Sequence, residues 1–135
     1  MIEVKGLAHF TIPVSNLDKS TRFYSDIVGC KYINTVPPAK LAFLDAGGVC
    51  LILAERKGPI NPVLDNNNGV HHSFIIESGK YQAALDHLRK NNVEVFFEED
   101  RRGGVVNGPR AYFRDPDGTV LEFIDLTSYE TERKA

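Results

Sequence analysis

The sequence predicts an α+β fold made of two βαβββ modules, and three observations support this prediction. Segments of strand length, rich in apolar and β-branched residues, alternate with one helical segment in each half of the chain. The order of the segments, a strand, a helix and three strands, occurs twice. Short residue matches also fall at equivalent places in the two halves. We therefore expect a single domain over residues 1–135, built from an internal repeat.

The first module is expected over about residues 5–56. Residues 7–14 predict a strand, and residues 15–29 predict a helix that Gly29 can end. Ser15, Asn16 or Asp18 can cap the start of that helix. The three strands expected after it cover residues 30–36, 40–46 and 49–55. Prolines 37 and 38 stop the first of these strands, and glycines 47 and 48 join the other two.

The second module is expected over about residues 70–126, after a Pro- and Asn-rich linker at 57–69. Its predicted segments are a strand at 70–76, a helix at 78–92, a strand at 93–99, a polar connection at 101–108, and strands at 110–115 and 119–126. The turn Pro116-Asp117-Gly118 joins the last two strands. The charged tail 127–135 is expected to pack loosely.

The composition is that of an ordinary globular protein, and it argues against several classes of partner. The 135 residues are 42% hydrophobic and 25% charged, with a formal net charge of −2. This slightly acidic balance gives no reason to expect nucleic acid or a membrane as partner. No apolar run approaches the roughly 20 residues of a membrane span, and the N-terminus lacks a signal-peptide pattern. The two cysteines make no disulfide framework, so we expect a cytoplasmic protein.

The repeat separates the two adjacent histidines of the stretch GVHHSFII. Residues 9–14 align with residues 71–76, so His9 and His71 are equivalent. Side chains alternate between the two faces of a strand. His71 therefore shares a face with Ser73, whereas His72 shares the other face with Phe74. We expect His71 on an open polar face and His72 on the core side.

A carboxylate in the last predicted strand stands out. The neighbours of Glu122 on its face of the strand, Val120 and Ile124, are apolar, and a buried carboxylate is costly unless it is paired or binds a metal. Its equivalent in the first module is Ile52. Two imidazoles and one carboxylate (His9, His71 and Glu122) are typical of mononuclear metal sites with open coordination positions. Each histidine alone would be read as a structural residue.

The motifs HFTIPVSNLDKSTRFYSDIVG (9–29), HHSF (71–74) and YFRDPDGTVLEF (112–123) resemble the vicinal oxygen chelate superfamily. This superfamily includes glyoxalase I, extradiol dioxygenases, fosfomycin-resistance thiol transferases and bleomycin-resistance proteins. The resemblance implies a cupped eight-stranded mixed sheet, the glyoxalase/dioxygenase-like fold. It also implies metal ligands at His9, His71 and Glu122. Glyoxalase I usually has a fourth ligand, a glutamate, where this chain has Ile52, so a three-ligand site is expected.

The resemblance assigns roles to two further residues. Tyr112 stands where dioxygenases and fosfomycin enzymes have a tyrosine that faces the site, and Thr11 where fosfomycin–glutathione transferases have a threonine near the phosphonate. Both are catalytic candidates. The loop arginines Arg102 and Arg110 are candidates for binding an anionic substrate. The ordinary interpretation of those arginines is a solvated surface loop.

Three functions remain open from the sequence. The first is a divalent-metal-dependent enzyme whose small substrate chelates the metal through vicinal oxygens. Dioxygenase chemistry is the favoured reaction of such an enzyme, and Fe(II) is favoured as its metal over Mn(II), Zn(II) or Ni(II). The second is a fosfomycin-resistance-type thiol transferase or a glyoxalase-type lyase or isomerase. The third is a metal-free small-molecule-binding protein of the bleomycin-resistance kind. The resemblance also implies a homodimer, with or without exchange of modules between the chains.

Overall fold

The computed structural model describes residues 1–57 and 70–131, and the chain divides into two compact units, Met1–Asn61 and Pro62–Ala135. Nearly all of the predicted linker therefore lies outside the described residues. Each unit contains one βαβββ module, which confirms the predicted fold class. Within the described ranges, no helix is both long and apolar enough to cross a membrane.

The first unit is one mixed sheet with a helical segment. Its elements are β1 (His9–Val14), α1 (Leu17–Arg22), β2 (Lys31–Val36), β3 (Leu41–Ala46) and β4 (Val49–Glu55). The strands lie in the order β1-β4-β3-β2, and only β1 and β4 run parallel. Asn16 accepts a hydrogen bond from the Lys19 amide at 3.0 Å, so it is the cap of α1. The predicted single helix continues past α1 as a π-helical segment, Phe23–Val28.

Strand β1 has the two-sided pattern that its sequence predicts. Ile12 and Val14 are fully buried, whereas His9 and Thr11 are exposed. The buried residues alternate with the exposed ones because successive side chains point to opposite faces. The apolar residues thus build the core of this unit, and the histidine faces away from it.

The second unit repeats the arrangement of the first. Its elements are β5 (His72–Ile75), α2 (Tyr81–Lys90), β6 (Phe97–Arg101), β7 (Val106–Arg114), β8 (Val120–Ile124) and β9 (Ser128–Tyr129). The sheet order is β5-β8-β7-β6, with β5 and β8 parallel and β9 paired to β7. Helix α2 packs on β7 and β8 and buries Leu85 and Leu88. This burial matches the apolar stripe expected for an amphipathic helix.

Three predictions about the second unit need correction. Strand β6 begins at Phe97 rather than at residue 93, and β7 begins at Val106, inside the predicted connection. The start of the predicted loose tail forms β9 instead, where Ser128 lies opposite Asn107. The Thr127 amide donates to the Asn107 carbonyl at 2.9 Å, and the Asn107 side chain donates to Ser128 Oγ at 2.9 Å. Pairing between distant segments therefore overrides the loop-like local composition.

Corresponding turns in the two units use an aspartate in the same way. In the first unit, Asp45 Oδ2 accepts from the Gly48 amide at 3.2 Å. In the second unit, Asp115 Oδ1 accepts from the amides of Asp117 and Thr119, both at 2.9 Å, and Asp115 is buried. An aspartate that bonds to backbone a few residues ahead favours a tight turn. The shared contact indicates that residues 45–52 and 115–122 occupy equivalent places in the two units.

Asp115→Ala is expected to lower the free energy of unfolding by about 1–3 kcal/mol, because it leaves two partly buried amides without an acceptor. Asp115→Asn keeps one side-chain oxygen at that place and should retain most of the stability. Urea denaturation of the three proteins, followed by circular dichroism, measures both effects. An alanine variant with the wild-type midpoint would show that the turn does not depend on this side chain.

Candidate functional site

The adjacent histidines of the second unit differ in their surroundings. His71, Ser73 and Ile75 are exposed, whereas His72 and Phe74 are partly buried, so exposure alternates along the strand. Burial lowers the pKa of His72, and the electrostatic influence of the neighbouring His71 lowers it further. His71 therefore lies on the open face that the repeat predicts for it.

One row of side chains crosses the whole sheet of the second unit. Ser73 on β5 is opposite Glu122 on β8, Glu122 is opposite Tyr112 on β7, and Tyr112 is opposite Phe97 on β6. Residues directly opposite each other in a sheet share a face. The row thus places a hydroxyl, a carboxylate and a phenol side by side on the face that also has His71.

Glu122 is 2% exposed, and its carboxylate has a partner on each oxygen. His71 Nε2 lies 3.2 Å from Oε1, and Ser73 Oγ donates to Oε2 at 2.6 Å. Among the described residues, no lysine or arginine forms an ion pair with this carboxylate. A buried carboxylate with no lysine or arginine partner is costly without a further cation.

Tyr112 packs against the same pair. Its ring makes an edge-on contact with the His71 ring, with centroids 5.4 Å apart. Burial raises the pKa of Tyr112 to about 12, and the negative charge of Glu122 and a hydrogen bond to it contribute. The rings of Phe96 and Phe97 also contact the phenol ring, at 6.2 and 5.7 Å between centroids. These aromatic contacts restrict the motion of Tyr112 beside His71.

The donor atoms of this unit fit a divalent metal ion. Imidazole nitrogen and carboxylate oxygen are ligands of iron, manganese, zinc and nickel in proteins. Ser73 bonds to the second carboxylate oxygen, which is the kind of outer contact that orients a metal-binding carboxylate. Among the residues that the structure describes, no three His, Cys, Asp or Glu side chains lie together as a metal-binding group, so the contacts of the second unit bring together two of the three predicted ligands.

The first unit has the third predicted ligand in the corresponding place. His9 is exposed on β1 and lies opposite Cys50, and Thr11 lies opposite Ile52. The row across this sheet is Thr11, Ile52, Phe43 and Asn34. It corresponds strand by strand to the row of the second unit, with an isoleucine in place of the carboxylate. His9 as a ligand and Thr11 as a catalytic residue stay predictions from the sequence.

The two predicted substrate-binding arginines differ. The Arg102 side chain is 76% exposed and pairs with Asp100 at 2.8 Å, as expected of a solvated loop. Arg110 is 4% exposed and lies on the same face of β7 as Tyr112, two residues away. Its guanidinium donates from Nε to the Gly108 carbonyl at 3.2 Å and from Nη2 to the Val106 carbonyl at 2.7 Å.

Ser73 is the residue whose contact the sequence interpretation missed. The repeat places Ser73 on the face of His71 but assigns it no role. The alignment of residues 9–14 with 71–76, combined with parallel pairing of the outer strands, would have placed it opposite Glu122. A small hydroxyl opposite a buried carboxylate was the available signal.

Comparisons with known proteins match most of this chain. The family model of the glyoxalase/bleomycin resistance protein/dioxygenase superfamily matches residues 6–123. A metallothiol transferase FosB of Staphylococcus saprophyticus is 33% identical over 120 residues, which cover 88% of this chain and 76% of the relative. The FosB of Staphylococcus haemolyticus is 31% identical over 137 residues, which cover 97% and 94%.

A solved structure also matches over most of its length. It is a mutant of the fosfomycin resistance protein FosX from Listeria monocytogenes, in complex with Mn(II) and 1S,2S-dihydroxypropylphosphonic acid. Its TM-score is 0.72 at 24% sequence identity, and the match covers 91% of each chain. At this identity the likeness shows a shared fold.

Proposed function

We infer, from the premise that this chain belongs to the glyoxalase/bleomycin resistance protein/dioxygenase superfamily, that it is a divalent-metal-dependent thiol transferase. The observation that carries the proposal is the contact between the buried Glu122 and His71, with Ser73 and Tyr112 on the same face of the sheet. The relatives named metallothiol transferases favour this function over the dioxygenase chemistry that the sequence analysis placed first. The substrate class is a small electrophile with metal-chelating oxygens.

His71 and Glu122, together with His9, would hold the metal ion. When bound, the ion supplies Lewis-acid stabilisation of negative charge on substrate oxygen. Mn(II) replaces Fe(II) as the first ion to test, because the FosX mutant was solved with Mn(II). Ser73 fixes the orientation of the Glu122 carboxylate through its hydrogen bond.

The side chains of the second unit then have defined roles in the transfer. The neutral phenol of Tyr112 lies beside His71 and can donate a hydrogen bond to a substrate oxygen. With an epoxide such as fosfomycin, the thiol sulfur forms a bond to a ring carbon and the carbon–oxygen bond breaks. The electron pair stays on that oxygen, which takes up the proton lost by the thiol. The protein itself accelerates the transfer by holding the substrate and the thiol in the orientation that the reaction needs.

The test is adduct formation by the purified, Mn(II)-loaded protein with fosfomycin and a panel of low-molecular-weight thiols, followed by ³¹P NMR. We expect a thiol adduct with wild type and with His72→Ala, and at least a 100-fold lower rate with His71→Ala. The His72 variant is a matched control because the two histidines are adjacent and face opposite ways. If His72→Ala lost activity as His71→Ala does, the assignment of the ligand would be wrong.

The alternatives give different results in the same preparation. A protein that forms no adduct with any thiol but consumes O₂ with catechols is a dioxygenase. A protein that retains no Mn(II), Fe(II), Ni(II) or Zn(II) after loading and dialysis is a metal-free binding protein. The cytoplasmic location and the homodimer stay predictions, which fractionation of cells and sedimentation would test.

A further inference from the structure

Phe97 is an exposed aromatic residue at the edge of the second sheet. It is 52% exposed, and it begins β6, the last strand in the order β5-β8-β7-β6. The residues that follow it on β6, from Glu98 to Arg101, are all charged. Charged side chains on an edge strand discourage pairing with another chain. The exposed ring of Phe97 therefore does not mark this edge as a place where another strand pairs.

Contact with Tyr112 holds the Phe97 ring on the face of the sheet that has the candidate site. The two residues are directly opposite each other, and directly opposite residues share a face. Their ring centroids lie 5.7 Å apart, with an angle of 43° between the ring planes. Tyr112 also contacts the His71 ring, at 5.4 Å between centroids. Phe97 thus lies two ring contacts away from His71, a predicted metal ligand.

The surroundings of the Phe97 ring favour an uncharged aromatic group as its ligand. Covering an exposed ring with an apolar group removes apolar surface from water, and two rings also attract each other in offset or edge-on geometry. The arginines that follow on the chain, Arg101 and Arg102, are each paired with a carboxylate, so they do not favour an anionic group here. An aromatic group is therefore the ligand that this position suits best.

We propose that Phe97 is a specificity-determining residue that contacts an aromatic substituent of the electrophilic substrate, whose oxygens bind the metal ion. The inference rests on the proposed function for the position of that ion. It goes beyond the proposed function by assigning a chemical group of the substrate and the residue that recognises it. Because Phe97 lies two ring contacts from His71, a substituent of the size of one ring can reach it from a metal-bound group, whereas a methyl group is too small to cover the ring.

The test is calorimetric binding of two probes to the Mn(II)-loaded protein, without turnover. Acetohydroxamate and benzohydroxamate chelate a metal ion through the same two neighbouring oxygens and differ in a methyl or a phenyl substituent. The ratio of their dissociation constants is compared between variants, so the intrinsic affinity of each probe for Mn(II) cancels. Phe97→Ala should lower the preference for benzohydroxamate at least about threefold, because it removes one aromatic pair, and should leave acetohydroxamate within twofold. Tyr129→Ala removes another exposed ring of the second unit and should change neither affinity more than twofold.

Three results would overturn the proposal. In the first, wild type binds neither probe. In the second, Phe97→Ala keeps the wild-type ratio of the two dissociation constants; if both probes then bind equally more weakly, the ring only supports Tyr112. In the third, Phe97→Tyr, which keeps the ring and should retain the preference for benzohydroxamate, loses it as Phe97→Ala does. A wild-type protein that forms no thiol adduct but binds benzohydroxamate through Phe97 would reject the transferase and leave this inference standing.

Discussion

Glu122→Gln is expected to lower the affinity for Mn(II) by at least about 100-fold. Glutamine keeps the size of the side chain and an oxygen that can accept from Ser73, but it removes the negative charge that attracts the metal ion. Loss of an outer partner of a metal ligand alone typically costs about 10- to 100-fold in metal affinity, so loss of the ligand charge should cost at least the upper value. Titration calorimetry with Mn(II) measures the change.

The same substitution tests whether Glu122 binds the metal ion or only stabilises the fold. Without metal, Glu122 is a buried charge whose neighbours include His71, Ser73 and Tyr112, and no lysine or arginine of the described residues pairs with it. Its neutralisation should leave the metal-free protein at least as stable as wild type in urea. Glu94→Gln alters an exposed carboxylate and should change neither property. Unchanged Mn(II) affinity in Glu122→Gln would contradict the ligand assignment, and strong destabilisation would indicate a structural role.

The module architecture was predictable because its signals are local. The turns at residues 46–49 and 115–119 have glycine or proline where the chain reverses, and the strands around them alternate in apolar and polar residues. Because of the internal repeat, the same turn and strand signals occur in both halves of the chain. The two faces of β1 and β5 follow from the alternation alone, which is why His71 could be distinguished from its neighbour His72.

The surroundings of the site residues were harder to predict, because the burial of a side chain depends on tertiary contacts. In the sequence, Arg102 and Arg110 lie near one polar, Gly-rich segment and look alike. The structure exposes Arg102 and buries Arg110, because Arg110 belongs to β7 and is covered in the folded unit. The early start of β7 depends on pairing with β6 and β9, which no short segment of sequence encodes. The sequence therefore identifies both arginines as candidates but does not show which of the two is buried.

Gly108→Ala is expected to lower the free energy of unfolding by more than about 3 kcal/mol, for two reasons that add. Gly108 has a φ of +128°, which residues with a side chain rarely adopt. An added Cβ would also collide with the backbone carbonyl oxygen of Asp125 and lie 3.0 Å from the Thr127 amide nitrogen. Overpacking against backbone cannot be relieved by a side-chain rotation, and it typically costs about 1–3 kcal/mol by itself.

Gly103→Ala is the matched control for this prediction. Gly103 has a φ of +72°, but an added Cβ would meet nothing within 4 Å. Only the strain of a positive φ then destabilises Gly103→Ala, by about 1–2 kcal/mol. The difference between the two urea midpoints measures the cost of the collision between the added Cβ and the backbone of Asp125. Because Tyr112 follows Gly108 on β7 and lies opposite the predicted metal ligand Glu122, a displaced strand should also weaken Mn(II) binding in Gly108→Ala but not in Gly103→Ala. Equal destabilisation by the two variants would mean that β7 can move away from Asp125 at no cost, and that the packing at Gly108 does not position the site.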